Sequence, residues 1–238
     1  MIYSKSYQTC WHDTDACRRV RPSQLLVYMQ EASNHHIAST GITLDQLRDE
    51  KKLAFILSKI QIALYRPLGA YDKIEVQTWT CKGRGFTSPR CFRILKDGEV
   101  VAEANTQWAL LGVEDRQFHR LEETGYEFQD EEPLALTVPA RIRFPADLPL
   151  ETLGQRRIVY SDLDYNMHMN NTRYPDMLCD FMPLEDVGRI KGISLSYLRE
   201  AAFGNVVTVL GAKRDESYYF RTLGEDGAVC LEAQVIVE

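Results

Sequence analysis

The fold class is indicated first by a long, largely apolar stretch, SQLLVYMQEASNHHIASTG, at residues 23–41. Its apolar side chains recur at helical spacing, namely at Leu25, Leu26, Met29, Ala32 and Ile37. Pro22 precedes the stretch and Gly41 ends it, as is usual at the two ends of a helix. Further apolar residues fall on its other faces, so we predict a long helix wrapped by a sheet. His35 and His36 within it are predicted to be core or interface histidines.

Strand-like runs lie on both sides of this helix. The predicted strands of the first half are residues 4–11, 53–65, 73–81, 87–95 and 100–113. A short polar helix is predicted at 43–50, and Asp97-Gly98 is a turn typical of a hairpin. Because the strands do not alternate with helices, their order favours an α+β fold with an antiparallel sheet over a doubly wound fold.

The segment 114–149 differs in composition and divides the chain. It is rich in charged residues and holds Pro133, Pro139, Pro145 and Pro149. Beyond it the element order repeats, with a predicted helix at 172–182. The predicted strands of the second half are residues 155–160, 190–198, 206–212, 217–223 and 228–237. We therefore predict an N-terminal domain at 1–130, a linker at 131–150 and a C-terminal domain at 151–238.

A short alignment supports the repeat. HDTDACRRV, from residue 12, falls against SDLDYNMHM, from residue 161, without gaps. The coinciding aspartates are Asp13 with Asp162 and Asp15 with Asp164. The differing positions are Cys17 with Asn166 and Arg19 with His168. Since so short a match can arise by chance, the shared element order carries more weight. If the halves are copies, only the second keeps the amide and the imidazole.

YSDLDYNMHMNN, residues 160–171, holds the candidate reactive groups. Polar side chains stand at alternate positions: Asp162, Asp164, Asn166 and His168. In a regular strand these would point to one side. The helix start that follows adds free backbone N–H groups at 169–171, which can polarise a carbonyl beside a group that moves a proton. The alternative is that these residues are helix caps and turn formers, as Asp and Asn before a helix often are.

Composition excludes several classes of protein. The chain has 238 residues, of which 45% are hydrophobic and 26% charged, and a formal net charge of -6. No apolar run approaches the ~18 residues of a membrane helix, and the start MIYSKSYQTCW lacks signal-peptide features. We therefore expect a cytoplasmic protein without a membrane partner. The acidic total argues against nucleic-acid binding. Six scattered cysteines without a CxxC pair predict reduced thiols and no metal site.

Several segments together resemble one family. The second half has DLDYNMHMNNTRY at 162–174 and SYLREA at 196–201. The first half has LAFILSKIQIALYRP at 53–67, DKIEVQTW at 72–79 and ANTQWALL at 104–111. These resemble the acyl-acyl carrier protein (acyl-ACP) thioesterases that end fatty acid synthesis in plant plastids and in some bacteria. The resemblance covers most of the chain.

The resemblance implies a tandem double hot dog, with each half a long helix wrapped by an antiparallel sheet. The family's catalytic positions fall on Asp164, Asn166, His168 and Glu200. Its acyl tunnel lies in the first domain, where Met29, Ile56 and Trp108 are candidate substrate-binding residues. Ala201 stands where plant members commonly have a cysteine, and Met167 where they have Gln, so a thiol nucleophile is not implied. Glu200 would be either the general base on water or a nucleophile.

The resemblance further implies a hydrolase that releases free fatty acid, with no cofactor and with acyl carrier protein as partner. Basic clusters would steer this acidic partner: Arg18, Arg19 and Arg21, or Lys82, Arg84, Arg90 and Arg93. The alternatives are a hot dog thioesterase acting on acyl-coenzyme A, a hot dog dehydratase, and a non-catalytic acyl-binding protein. A homodimer is possible.

Overall fold

One antiparallel sheet organises the molecule. The computed structural model describes residues 2–83, 85–127 and 131–238. Within these residues the strands are β1 Tyr3–Gln8, β2 Leu53–Leu64, β3 Lys73–Thr80, β4 Thr87–Lys96, β5 Glu99–Gly112, β6 Glu151–Arg157, β7 Ile190–Tyr197, β8 Val206–Arg214, β9 Ser217–Leu223 and β10 Val229–Val237. Neighbouring strands pair antiparallel throughout. Arg84 and the predicted domain end at residue 130 lie outside the described residues.

The two halves of the sheet repeat one strand order. From the seam between β2 and β7, the first half runs β2-β5-β4-β3-β1 and the second runs β7-β10-β9-β8-β6. At the seam, Ile60 lies opposite Leu195, and Ile62 lies opposite Ile193. The strands correspond in chain order, from β1 with β6 to β5 with β10. The α+β prediction with an antiparallel sheet, and the duplicated architecture, are therefore confirmed.

The long first helix is buried against the sheet, as predicted. α1 spans Pro22–Ser39. Leu26 and Met29 of α1 belong to one buried hydrophobic cluster with Phe92 of β4. The same cluster includes Phe220 of β9, so the two halves share one hydrophobic core.

The helix of the second half is shorter than predicted. A 3₁₀ turn at Asn171–Arg173 leads into α3, Tyr174–Cys179. Pro175 lies in the first turn, where its missing N–H is tolerated. Pro183 disfavours helical backbone at the residue before it, so the predicted end at 182 is wrong. The other short helices of the described residues are α2, Leu44–Asp49, and α4, Leu184–Val187. None of these described helices is long and apolar enough to cross a membrane.

The segment 131–150 crosses one face of the sheet. Asn105 of β5 exchanges two hydrogen bonds, of 2.8 and 3.1 Å, with the backbone of this segment. Gln61 of β2 donates to the Val138 carbonyl at 2.8 Å, and Ser194 of β7 donates to the next carbonyl at 2.8 Å. These polar side chains alternate with core residues along their strands, so the face is the one opposite the core. The predicted linker is therefore hydrogen-bonded to strands of both halves.

Candidate active site

The stretch that the sequence predicts as an extended strand is a tight loop. Leu163 and Met169 pair across it in an isolated antiparallel bridge. Inside the loop, the Asp164 N–H donates to the His168 carbonyl at 2.8 Å. Met167 has a φ of 65°, in the left-handed region. Side chains of such a loop do not alternate between two faces. The predicted regular strand is therefore wrong, and the loop decides where each side chain lies.

Asp164 anchors this loop through its carboxylate. Its Oδ1 accepts the backbone N–H of Asn166 at 2.8 Å and that of His168 at 3.2 Å. An aspartate that accepts the N–H two residues later forms an Asx turn, which fixes the local backbone. Asp164 therefore orients the segment that carries the amide and the imidazole.

His168 and Glu200 lie side by side. Nε2 of His168 is 3.6 Å from Oε2 of Glu200, and the two side chains are 27% and 42% exposed. Backbone pairing brings them together, because His168 forms an antiparallel bridge with Ala202. In addition, the Met169 N–H donates to the Ala201 carbonyl at 2.8 Å. The structure thus places a carboxylate next to the imidazole and in reach of solvent.

The backbone donors expected after this loop are already in use. Met169 donates to the Ala201 carbonyl and Asn170 donates to the Asp162 carbonyl, each at 2.8 Å. Asn170 also caps the 3₁₀ turn, since its Oδ1 accepts the Thr172 N–H at 2.9 Å. The prediction of free N–H groups at Met169 and Asn170 is wrong, because both residues continue the backbone pairing of the loop.

A cavity of about 250 Å³ in the first half reaches this loop. Tyr165 and Asn166 of the loop form part of its wall. Other wall residues come from the first half and include Ile37, Leu47, Phe55, Ser88 and Trp108. Arg48 of α2 donates to Oδ1 of Asn166, and its guanidinium lies 5.3 Å from the centre of the Tyr165 ring. The cavity is therefore built by both halves.

The three predicted substrate-binding residues do not share one location. Trp108 lies on the cavity wall, where its indole N–H donates to Oγ1 of Thr106 at 2.9 Å. Met29 is 1% exposed and packs in the shared core, and half-buried Ile56 lies on β2. The cavity wall does not include Met29 or Ile56. The family resemblance implied a tunnel inside the first domain, but a resemblance in sequence does not separate a cavity wall from a filled core.

Arg90 is a buried cation on the cavity wall. Its Nη1 lies 3.1 Å from Nδ1 of His36 and donates to Oγ1 of Thr78 at 3.2 Å. Burial lowers the pKa of this guanidinium from its usual value. The second predicted basic cluster is therefore not one exposed surface, because Arg90 is buried and Arg93 pairs with Glu103 at 2.8 Å.

His36 should make folding stability depend on pH. Burial, followed by the nearby charge of Arg90, lowers the pKa of His36 from 6.5 to about 4. Between these values the unfolded chain takes up a proton at this residue and the folded chain does not. Stability should therefore fall as the pH decreases from about 6.5 to about 4, by up to about 3 kcal/mol from this residue. Urea unfolding at pH 4.5–7 measures the slope.

His36→Gln should flatten this slope, because glutamine does not titrate. His35→Gln is the matched control, since His35 is the exposed neighbour on the same helix. An equal pH slope in the His36→Gln variant and the native chain would show that His36 does not cause it.

The first half contains a loop with the same backbone hydrogen bonds but without the imidazole and the neighbouring carboxylate. Oδ1 of Asp15 accepts the N–H of Cys17 at 2.8 Å and that of Arg19 at 3.2 Å. The Asp15 N–H donates to the Arg19 carbonyl at 2.9 Å, and the Val20 N–H donates to the Leu68 carbonyl at 2.8 Å. Each of these hydrogen bonds has its counterpart in the loop of the second half. The gapless alignment of the two loops is therefore confirmed residue by residue.

This correspondence shows which groups the first half lacks. Arg19 occupies the position of His168. Pro67 precedes Leu68 and so occupies the position of Glu200, which precedes Ala201. Neither arginine nor proline can exchange a proton near neutral pH. The duplicated scaffold therefore carries an acid–base pair in the second half, where the first half has none.

The cysteines offer no donor set for a metal ion. All six are free thiols, and Cys81 and Cys91 lie together in the interior with their Sγ atoms 3.2 Å apart. Across the described ranges, no three His, Cys, Asp or Glu side chains are grouped to hold a metal ion.

Two arginines of the site were missed by the sequence reasoning. Arg48 contacts Asn166, and Arg116 donates to Oε2 of Glu200 at 3.0 Å. Both belong to the first half, whereas the residues that they contact belong to the second. Neither lies in a segment that carried the family resemblance, and a contact between halves leaves no periodic signal in the sequence. The fold alone reveals them.

Solved structures of the same architecture define the class of fold. An acyl-ACP thioesterase from Bacteroides thetaiotaomicron superposes with a TM-score of 0.89 at 22% identity, covering 100% of this chain and 98% of that chain. The 12:0-ACP thioesterase from Umbellularia californica superposes with a TM-score of 0.84 at 19% identity, covering 100% and 97%. The predicted tandem hot dog is therefore confirmed.

Family models match both halves. Residues 1–128 match the acyl-ACP thioesterase N-terminal domain, and residues 151–231 match the acyl-ACP thioesterase C-terminal domain. This chain belongs to the acyl-ACP thioesterase family.

It is 26% identical over 205 residues to oleoyl-acyl carrier protein thioesterase 2, chloroplastic, of Arabidopsis thaliana, over 76% of this chain and 55% of that protein. The oleoyl-acyl carrier protein thioesterase of Coriandrum sativum is 25% identical, over 87% and 62%. The chain thus spans little more than half the length of these curated relatives.

Proposed function

We propose that this protein hydrolyses the thioester of fatty acyl-ACP and releases the free fatty acid, which ends chain elongation. The observation that carries the proposal is the His168–Glu200 pair, because His168 lies on a loop that also forms part of the wall of a cavity. Membership of the family supports the thioester as the bond and acyl carrier protein as the partner. The acyl chain would occupy the cavity of the first half, with the thioester at the loop.

Each predicted catalytic residue has a role in the proposed reaction. Asp164 holds the loop through two backbone N–H groups. Because Arg48 binds the amide oxygen of Asn166, the amide NH₂ group is the end that can donate to the thioester carbonyl. His168 and Glu200 flank the position of an attacking water, and either one can receive its proton. The departing thiolate needs little assistance. In the alternative role, the Glu200 carboxylate attacks the thioester carbonyl, the C–S bond breaks to release the thiolate, and water then hydrolyses the resulting anhydride to free fatty acid and Glu200.

The cavity of the first half is the proposed site of the acyl chain. Its volume is about 250 Å³, just below the ~300–1,000 Å³ of most ligand pockets. Trp108 is a wall residue of this cavity, whereas Met29 and Ile56 lie outside its wall. We therefore propose that Trp108 contacts the acyl chain.

One hydrolysis panel tests the proposal against its alternatives. Release of free thiol is measured over a series of acyl lengths, each attached to acyl carrier protein and to coenzyme A. We expect a higher kcat/KM on the carrier protein. A higher kcat/KM on coenzyme A would favour the acyl-coenzyme A thioesterase, and an enoyl product would favour the dehydratase. Tight binding of a thioester that stays intact would favour an acyl-binding protein.

Organisation and location are also proposals. We propose domains at 1–130 and 151–238 joined by the segment 131–150, and a cytoplasmic location. The family matches at 1–128 and 151–231 support the division. Size-exclusion chromatography with light scattering would determine whether the chain is a monomer or a homodimer.

A further inference from the structure

Arg116 reaches from the first half to the candidate catalytic carboxylate of the second. Its Nη2 donates to Oε2 of Glu200 at 3.0 Å. The same Oε2 lies 3.6 Å from Nε2 of His168. One carboxylate oxygen is therefore shared between a guanidinium of one half and an imidazole of the other.

The turn that carries Arg116 follows the end of β5. Arg116 has a φ of 57°, and its N–H donates to the Gly112 carbonyl at 3.1 Å. The Gly112 N–H in turn donates to the Gln117 carbonyl at 2.9 Å. A Cβ at Gly112 would lie 1.9 Å from Oδ1 of Asp115, so a larger residue at this position would displace that carboxylate from the turn. The backbone of Arg116 is therefore held on both sides.

Side-chain hydrogen bonds also stabilise this turn. Oδ1 of Asp115 accepts the Gln117 N–H at 3.0 Å. Nε2 of His119 contacts Oδ2 of Asp115, and its Nδ1 contacts Oε2 of Glu123, each at 2.9 Å. These two carboxylates raise the pKa of His119, with Glu123 the larger cause. The long arginine side chain thus starts from an ordered backbone at the edge of the site.

The expected effect of this contact is on geometry more than on stability. Arg116 and Glu200 are 60% and 42% exposed, and exposed ion pairs add about 0–1 kcal/mol to stability. A half-exposed glutamate that is free to change rotamer would spend less time beside His168. A guanidinium that binds one of its oxygens removes this freedom, and small displacements at a reacting centre lower rates strongly.

We propose that Arg116 is a positioning residue that holds Oε2 of Glu200 next to His168, so that a residue of the first half completes the acid–base pair of the second. The proposal rests on the function proposed above.

A double-mutant cycle in kcat tests it. Arg116→Ala, Glu200→Ala and the double variant are compared with the native chain on one acyl-ACP thioester. We expect Arg116→Ala to lower kcat by about 10- to 100-fold while KM changes less than about twofold. Arg116→Lys should recover part of kcat, since it restores the charge without the planar fork. In the Glu200→Ala background, Arg116→Ala should have no further effect, because Arg116 acts through Glu200.

Lys52→Ala is the matched control. Lys52 lies 3.9 Å from Glu114 in an exposed ion pair near the same turn and has no contact with Glu200. It should retain native kcat, and all variants should keep the native melting temperature. An unchanged kcat in Arg116→Ala, a change confined to KM, or a full additional loss in the double variant would each overturn the proposal. A native chain that hydrolyses no thioester would instead overturn the proposed function.

Discussion

Glu200→Ala should lower kcat for acyl-ACP hydrolysis by about 10²- to 10⁴-fold, which is the usual contribution of a general acid–base group. His168→Ala should cause a loss of the same order, because the two side chains lie 3.6 Å apart and take part in one proton transfer in the proposed mechanism. Both variants should stay folded, since each side chain keeps contact with solvent. Steady-state rates on one acyl-ACP substrate, together with melting temperatures, measure the effect.

Arg19→Ala is the internal control for this prediction. Arg19 occupies the position of His168 in the duplicated loop, with the same backbone hydrogen bonds. Its replacement tests the scaffold without touching the acid–base pair, so kcat should stay close to native. A Glu200→Ala variant with native kcat would remove Glu200 from the mechanism.

Asp162→Ala should cost about 1.5–3 kcal/mol of folding stability, the usual contribution of a hydrogen bond to a charged group. Asp162 is 2% exposed, forms an ion pair with Arg156 and accepts the Val159 N–H at 3.0 Å. Arg156 is 29% exposed and keeps Asp180 at 3.4 Å, so the loss comes from the buried contacts of the Asp162 carboxylate. Urea unfolding at constant pH measures the difference in free energy. This carboxylate precedes the loop of the candidate active site, so the loss would also loosen that site.

Asp180→Ala is the matched control, because it removes a second carboxylate from the same arginine. Asp180 is 67% exposed and lies 3.4 Å from Arg156. Exposed pairs contribute about 0–1 kcal/mol, so we expect a small change in the free energy of unfolding. Equal losses in the two variants would show that burial of Asp162 does not set its contribution.

The duplicated architecture was readable from the sequence because its signals are local. Apolar side chains at helical spacing predicted α1, and turns such as Asp97-Gly98 marked a hairpin between β4 and β5. The gapless alignment of the two loops was correct because both copies need the same Asx turn. Asp15 and Asp164 satisfy that need with the same two hydrogen bonds.

The failures share a physical cause. Alternating polar residues at 162–168 suggested a strand, but Met167 in the left-handed region turns the chain back on itself. The N–H groups expected to be free at Met169 and Asn170 donate to the carbonyls of Ala201 and Asp162. The spacing of polar residues along the stretch does not indicate either partner. Periodicity describes which face a residue takes on a regular element. It does not describe how an irregular segment uses its backbone hydrogen bonds.

The sequence alone was enough to predict the α+β class, the tandem repeat and the family resemblance. It also showed that an acid, an amide and an imidazole lie close together in the second half. The tertiary structure alone decided how these groups meet. It folded the stretch into a loop, brought Glu200 to 3.6 Å from His168, and placed Arg48 and Arg116 of the first half at the site. Local patterns follow from neighbours along the chain, whereas these contacts arise where the two halves pack together.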